Sequence, residues 1–179
     1  MIYVFLADGF EEVEAFTPVD FLRRAGLAVA TVGVGKDMPI GSHGICVKAD
    51  CREEDIDFDK MEAVILPGGM PGMTNLDASP SVQATLKEAF ARNVVVGAIC
   101  AAPSVLGWGG YLMGKKATAY PGFEKNLLGA DVSAQSVVVD GNVVTAKGAG
   151  VSADFALELV SLLKDKETAD EIRRGIQCR

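Results

Sequence analysis

The sequence has one histidine and four cysteines, and it contains no Cys-x-x-Cys pair. Structural and catalytic zinc sites are built mostly from closely spaced cysteines and histidines, so this composition argues against a metal centre. The four thiols are too scattered to indicate a disulfide framework, and each is expected to be free. They are Cys46, Cys51, Cys100 and Cys178.

Positive charge and long apolar runs are also scarce. Lys and Arg number 17 against 24 Asp and Glu, and the net charge of −7 disfavours binding to nucleic acid or anionic lipid. No apolar stretch approaches the roughly 18 to 20 residues of a membrane span, and the first residues lack the basic flank of a signal peptide. We therefore expect a cytoplasmic protein that binds neither nucleic acid nor membrane.

The length and composition indicate an ordinary globular protein. The chain has 179 residues, of which 49% are hydrophobic and 23% are charged. This length supports one substantial core and is short for two, so a single domain over residues 1–179 is predicted.

Short apolar runs alternate with amphipathic stretches along the chain. Strands are predicted at 2–7, 27–34, 44–47, 61–66 and 94–100, and helices at 12–25, 81–92, 102–112, 152–163 and 166–176. A hairpin is predicted over 136–146, with Asp140-Gly141 as its two-residue turn. The βα alternation predicts an α/β fold with a mostly parallel sheet.

Cys100 lies where an apolar strand runs directly into a helix that begins near Pro103. Free N–H groups at a helix N-terminus favour the thiolate form of a nearby cysteine. The corner resembles the Gly-x-Ser-x-Gly nucleophile elbow, with Ala98 and Ala102 replacing the glycines. A small buried hydrophobic cysteine is the alternative interpretation, and the position alone leaves both open.

Two other features are expected at the same edge of the sheet as Cys100. Parallel sheets bind ligands at the carboxyl ends of their strands, where the Gly68-Gly69 pair and the segment after the first strand also lie. The backbone N–H groups of Gly68, Gly69 and Ala101 would form an oxyanion hole for a substrate bound to the thiol. This convergence favours a reactive Cys100.

Three glutamates crowd the start of the first helix. Glu11 and Glu12 are expected at its solvated N-terminus, where they complement the helix dipole. Glu14 lies on a different helix face and is the candidate for controlling the proton of the thiol. A surface position for Glu14 is the alternative.

Five blocks in register along the chain resemble the ThiJ/PfpI family, specifically the branch of the parkinsonism-associated protein deglycase. They are Gly9-Phe-Glu-Glu-Val-Glu14, Pro18-Val-Asp-Phe-Leu-Arg-Arg-Ala-Gly26, Leu66-Pro-Gly-Gly69, Ala98-Ile-Cys-Ala-Ala-Pro103 and Gly148-Ala-Gly150. The resemblance implies a flavodoxin-like three-layer sandwich, a homodimer, and a reaction without cofactor or metal.

The resemblance also implies roles for individual residues. Cys100 becomes an oxidation-prone nucleophile, Glu14 a protonated acid bonded to its sulfur, and Gly68, Gly69 and Ala101 the oxyanion site. The family converts glyoxal and methylglyoxal to hydroxy acids and is credited with repairing glycated adducts. Redox sensing and chaperone-like protection through the same cysteine form the alternative function.

One position departs from the family pattern. Members with a histidine beside the cysteine carry it just before a proline, where this chain has Tyr120. Peptidases need a Cys-His pair, so a peptidase or amidase is the least favoured function and would require a histidine from elsewhere, such as His43 of the partner subunit. Tyr120 is expected to form a wall of the pocket or to donate a hydrogen bond.

Overall fold

The computed structural model describes residues 1–177, and Cys178 therefore lies outside the described residues. The strands are β1 (Ile2–Leu6), β2 (Val29–Gly33), β3 (Cys51–Arg52), β4 (Ala63–Leu66), β5 (Val95–Ile99), β6 (Lys116–Ala117), β7 (Asp131–Val132), β8 (Val137–Asp140) and β9 (Val143–Ala146). The helices are α1 (Glu12–Arg24), α2 (Gly72–Ala78), α3 (Pro80–Ala91), α4 (Pro103–Trp108), α5 (Ser152–Leu163) and α6 (Lys166–Gly175).

Seven of these strands form one sheet in the order β3-β2-β1-β4-β5-β9-β8. All neighbours are parallel except β8, which runs antiparallel to β9. Strands β6 and β7 form a separate parallel pair. The predicted α/β fold with a mostly parallel sheet is confirmed, and its architecture is flavodoxin-like. Within residues 1–177, none of the helices combines the length and apolar character needed to cross a bilayer.

The sheet is covered by helices on both faces. Along β1, Ile2, Val4 and Leu6 pack in one core with α1, α5 and α6, whereas Tyr3 and Phe5 pack in the other with α2, α3 and α4. This alternation follows from the two-residue period of a strand. Because both faces are buried, the central strands appear in the sequence as continuous apolar runs.

The prediction of a strand at residues 44–47 is wrong. That segment makes only an isolated bridge between Ile40 and Cys46, and Ile45 is exposed. The third strand is instead β3, where Cys51 pairs with Val32 of β2. Gly44 takes a positive φ of 83°, so residues 40–46 turn back on themselves and do not extend along the sheet.

Several element boundaries also differ from the predictions, most clearly at the hairpin turn and at the end of α4. Asp140 pairs with Val143, so the hairpin turn is Gly141-Asn142 and begins one residue later than predicted. Helix α4 ends at Trp108, short of the predicted residue 112, within a run that includes Gly109 and Gly110. The predicted helix at 152–163 is confirmed at both ends.

Candidate active site

Cys100 occupies the sharp corner between β5 and the segment that leads into α4. Its φ is 64°, a left-handed conformation that is uncommon outside glycine and is typical of strained functional turns. The corner is fixed on both sides, because the Cys100 N–H donates to the Ala146 carbonyl at 2.8 Å and its carbonyl accepts from the Tyr120 N–H at 2.9 Å. The thiol is half-buried at the carboxyl edge of the sheet.

Glu14 is buried beside this thiol, with 1% of its surface exposed. Its Oε2 accepts a hydrogen bond from the Gly68 N–H at 2.9 Å, and the carboxyl is also hydrogen-bonded to Cys100 and to the Ala149 N–H. Glu11 caps α1 by accepting a hydrogen bond from the Glu14 N–H at 2.7 Å. The structure thus brings Glu14 and Cys100 together, and Glu14 is not a surface residue.

Burial changes the acidity of the Glu14 carboxyl. Desolvation of the charged form raises the pKa of Glu14 to about 7, and the negative charge of Glu11 acts in the same direction. The hydrogen bonds from Cys100, Gly68 and Ala149 lower this pKa and do not cancel the effect of burial. Glu14 can therefore hold or release a proton close to neutral pH.

The acidity of Cys100 is tied to the charge on Glu14. Burial is the largest cause that raises the pKa of the thiol, to about 12, and the ionised Glu14 carboxylate adds to it, whereas the Ala101 and Gly69 N–H groups lower it. The contribution of Glu14 exists only while its carboxyl is ionised. When Glu14 holds the proton, its O–H donates to the sulfur. The hydrogen bonds from Glu14, Gly69 and Ala101 then all stabilise the thiolate.

Gly68 is required by the close packing around this pair. A Cβ at residue 68 would lie 2.6 Å from the Cys100 Cβ and 2.7 Å from Glu14 Oε2, closer than side-chain atoms approach one another. Because the Gly68 N–H is engaged by Glu14, it is not free for a substrate oxygen. Of the three predicted backbone donors, one holds Glu14 and two, those of Gly69 and Ala101, are directed at the sulfur.

Tyr120 is tied to the corner through its backbone and not through its side chain. Its N–H is the donor to the Cys100 carbonyl, and 49% of the residue is exposed. The ring packs edge-on against Phe123, with a centroid separation of 6.4 Å. Tyr120 therefore stands at the rim of the site, as a pocket wall would.

Glu12 differs from the expectation of a solvated helix end, because it is buried. Its carboxylate accepts from the His43 N–H at 2.8 Å, lies 2.7 Å from His43 Nδ1 and accepts from the Ser42 hydroxyl at 3.3 Å. A usable sequence signal existed, since Glu12 is in helical phase with the buried residues Ala15 and Val19. The single histidine of the chain is thus hydrogen-bonded to Glu12 and does not lie beside Cys100 in a Cys-His pair.

One group in residues 1–177 has the side-chain types and spacing of a metal site. Ligand atoms of Glu11, Glu12 and His43 all lie within 4.8 Å of one another. Glu12 and His43 already satisfy each other by hydrogen bonding, and Glu11 caps α1. These contacts account for the cluster without an ion.

Known proteins resemble this chain over nearly its full length. The Parkinson disease protein 7 homolog of Danio rerio is 37% identical over 175 residues, covering 95% of this chain and 93% of the relative. A deglycase of Pyrococcus abyssi is 32% identical and covers 91% of this chain and 99% of the relative.

Solved structures give the same result. Oxidised DJ-1 of Toxoplasma gondii superposes with a TM-score of 0.94 at 35% identity, covering 98% of this chain and 97% of that one. Drosophila melanogaster DJ-1beta superposes with a TM-score of 0.93 at 32% identity, covering 99% of this chain and 97% of that one. Residues 1–162 match the profile of the DJ-1/PfpI family. The chain therefore belongs to the DJ-1/PfpI family.

Proposed function

We propose that the protein is a cofactor-independent enzyme of the glyoxalase or deglycase type, acting on glyoxal, methylglyoxal or their adducts. The observation that carries this proposal is the hydrogen-bonded pair of Cys100 and buried Glu14, whose pKa is about 7. The reaction needs two groups, a nucleophile and a proton carrier whose pKa lies near neutral pH. The deglycase name of the Pyrococcus abyssi relative supports the same class.

In the first step, the Cys100 thiolate attacks the aldehyde carbon of methylglyoxal. The carbon–sulfur bond forms, the carbonyl π electrons move to oxygen, and the protonated Glu14 supplies the proton that turns this oxygen into the hydroxyl of a hemithioacetal. The N–H groups of Gly69 and Ala101 are directed at the sulfur and would stabilise the developing oxyanion.

In the second step, Glu14 as carboxylate removes the proton from the carbon bonded to sulfur and returns one to the neighbouring carbon. The hemithioacetal becomes a 2-hydroxy thioester by way of an enediol, with no net change in electrons. Water then cleaves the thioester, which releases lactate and regenerates Cys100. The overall reaction adds one water molecule to methylglyoxal and needs no external oxidant or reductant.

The position of the histidine favours carbonyl chemistry over amide hydrolysis. A cysteine peptidase uses a histidine beside the thiol to protonate the leaving amine. The only histidine of this chain, His43, is bonded to Glu12 through both its backbone and its ring. Addition to an aldehyde has no leaving amine, so the carboxyl of Glu14 suffices.

The test is to incubate the purified protein with methylglyoxal and to quantify lactate. Measuring the hydroxy acid, and not the loss of dicarbonyl, separates turnover from simple trapping by thiols. Cys100→Ala and Glu14→Gln should each abolish lactate formation, whereas Cys46→Ala, at an exposed cysteine, should retain it. Lactate formation that survives the Cys100→Ala change would refute the proposal.

A second candidate function is redox sensing through the same thiol. The N–H groups of Gly69 and Ala101 and the Glu14 carboxyl offer three hydrogen bonds to oxygens on the sulfur, and the Toxoplasma gondii relative was solved in an oxidised form. Two molecules of hydrogen peroxide would oxidise the thiol to sulfenate and then sulfinate, each being reduced to water. Mass spectrometry after mild peroxide treatment tests this function, which fails if another cysteine gains two oxygens before Cys100.

We also propose that the chain forms a homodimer, as the family resemblance implies. Val13 on α1 and Ile45 in the loop after β2 are apolar residues that are at least half exposed. The hydrogen bonds between Glu12 and His43 join α1 to this loop. Analytical ultracentrifugation should find a dimer at micromolar concentration, and Ile45→Asp should shift it toward monomer. A monomer across the whole concentration range would contradict the proposal.

A further inference from the structure

A groove of about 340 Å³ is lined by residues that contact the Cys100–Glu14 pair from outside. It is lined by Tyr120, Pro121, Lys147 and residues 148–151. Gly148 connects the groove to the reacting groups, because a Cβ there would lie 3.3 Å from Tyr120 Cδ2 and 3.6 Å from Glu14 Oε1. Gly148 and Ala149, which line the groove, therefore also lie against the carboxyl that is hydrogen-bonded to the sulfur.

The walls of this groove are largely apolar. The half-exposed ring of Tyr120 forms one side, and Pro121 and Val151 contribute further carbon surface. The Lys147 Nζ donates to the Ala134 carbonyl at 2.7 Å, which holds this ammonium group in place without removing its positive charge. Among the residues of 1–177 that line the groove, none carries a carboxylate. An aromatic face that stands open beside a reactive centre is suited to stacking with a flat apolar group.

We propose that this groove binds the substituent of the substrate, and that the enzyme favours 2-oxoaldehydes whose substituent is aromatic over methylglyoxal. The inference rests on the proposed function, because it assumes that the aldehyde carbon is bound at Cys100. The methyl group of methylglyoxal fills little of a groove of this volume. A phenyl group in its place contacts Tyr120 while the chemistry at Cys100 and Glu14 stays the same, and addition of water to phenylglyoxal gives mandelate.

The experiment compares kcat/KM for phenylglyoxal with kcat/KM for methylglyoxal in each variant. The ratio of the two values is the readout, because an aryl ketone differs from an alkyl ketone in intrinsic reactivity. Tyr120→Ala should lower the ratio by about fivefold or more, mainly through KM for phenylglyoxal, because the ring no longer buries the phenyl group. Tyr120→Phe, which keeps the ring, should preserve the ratio.

Two further variants complete the test. Phe58→Ala removes an aromatic ring that is 38% exposed, compared with 49% for Tyr120. Phe58 precedes β4 and so lies at the amino end of the parallel strands, opposite the edge that carries Cys100. This variant should leave the ratio unchanged. Val151→Phe narrows the groove and should lower the ratio without removing Tyr120, which keeps the test decisive if Tyr120→Ala does not fold.

The outcomes separate this inference from the proposed function. A ratio that is unchanged in Tyr120→Ala and in Val151→Phe overturns the groove as the substituent site. A ratio that falls equally in Tyr120→Phe and Tyr120→Ala assigns the effect to the hydroxyl and overturns the apolar reading. If the unaltered protein converts neither phenylglyoxal nor methylglyoxal, the proposed function itself fails.

Discussion

Glu14→Gln is expected to stabilise the folded protein at neutral pH while it abolishes activity. The glutamine oxygen can still accept from the Gly68 N–H, and its amide can donate to the Cys100 sulfur, so these two contacts of the site are kept. What the variant removes is the cost of ionising a buried carboxyl. The pKa of Glu14 is 4.5 in its ordinary state and about 7 in the folded protein. Between pH 4.5 and pH 7 the carboxyl is therefore mostly ionised in the unfolded chain and mostly protonated in the folded protein.

The sign and size of the effect follow from proton linkage. Because the folded state binds the proton more tightly than the unfolded state, the stability due to this group is complete below pH 4.5 and is lost as the pH rises through about 7. A difference of about 2.5 pKa units corresponds to roughly 3 kcal/mol. Linkage counts the protons on the Cys100–Glu14 pair, so the result does not depend on which atom holds the remaining proton.

The assay is urea unfolding of both proteins at several pH values. The isoelectric point is near 4.7, where solubility is lowest, so the useful window runs from about pH 5.5 to about pH 8. Across this window the unfolding free energy of Glu14→Gln should gain about 2 kcal/mol relative to the unaltered protein. Other titrating groups occur in both proteins and cancel in the difference.

The matched control is Glu158→Gln, at an exposed carboxyl on α5. Its unfolding free energy relative to the unaltered protein should not change with pH over the same window. The reasoning is refuted if Glu14→Gln shows the same flat difference as this control, because Glu14 would then ionise as readily in the folded protein as in the unfolded chain.

Gly68→Ala should destabilise the protein by about 1–3 kcal/mol and abolish lactate formation, because the new Cβ meets the Cys100 side chain; thermal unfolding and the methylglyoxal assay measure these effects. The His43 ring should titrate at higher pH than an ordinary histidine, as followed by NMR, because its hydrogen bond to Glu12 and the charge of that carboxylate raise the pKa of His43. The stabilisation from this ion pair is complete below about pH 6.5 and is lost as the pH rises through the raised pKa. Thr118→Val should leave the urea midpoint unchanged or raise it, because the buried Thr118 hydroxyl finds no hydrogen-bond partner within residues 1–177.

Each of these predictions has a control or a contradicting result. Gly175→Ala should be tolerated, since a Cβ there meets no atom of the described residues within 4 Å, and full activity in the Gly68→Ala variant would contradict the packing argument. An ordinary titration midpoint for His43 would mean that Glu12 does not hold the ring in solution. Thr85→Val should cost about 1 kcal/mol because it removes a 2.8 Å hydrogen bond to the Ser81 carbonyl, and an equal loss in Thr118→Val would contradict the prediction for that hydroxyl.

The features that could be predicted from the sequence are those with a local pattern. Strands β1, β4 and β5 are continuous apolar runs because both faces of the sheet are covered, and α5 is amphipathic along its whole length. The corner at Cys100 was visible because a strand pattern and a helix pattern meet there without a linker. The position of Glu14 was ambiguous by residue type, although it shares a helix face with the buried residues Pro18 and Phe21.

The features that could not be predicted depend on contacts between distant segments. Strand β3 has two residues, too few for a periodic pattern, and its place is set by pairing with β2. Residues 40–43 are held by polar contacts, including the Ile40 N–H to the Asp8 carboxylate and the His43 N–H to Glu12. Such contacts leave no periodic pattern in the apolar residues, so the sequence does not reveal the turn that joins residues 44–45 to Gly41 and rules out a strand at 44–47.

The two backbone hydrogen bonds that hold Cys100 also determine when its reactivity can arise. They come from Tyr120 and from Ala146 at the end of β9, so the corner cannot take its final form before β9 has joined the sheet. Long-range pairing of this kind forms late in folding, and a nascent chain is synthesised from its N-terminus. On the ribosome, Cys100 therefore emerges as an ordinary solvated thiol. The contacts that join its thiol to Glu14, Gly69 and Ala101 form only once the sheet has closed around it.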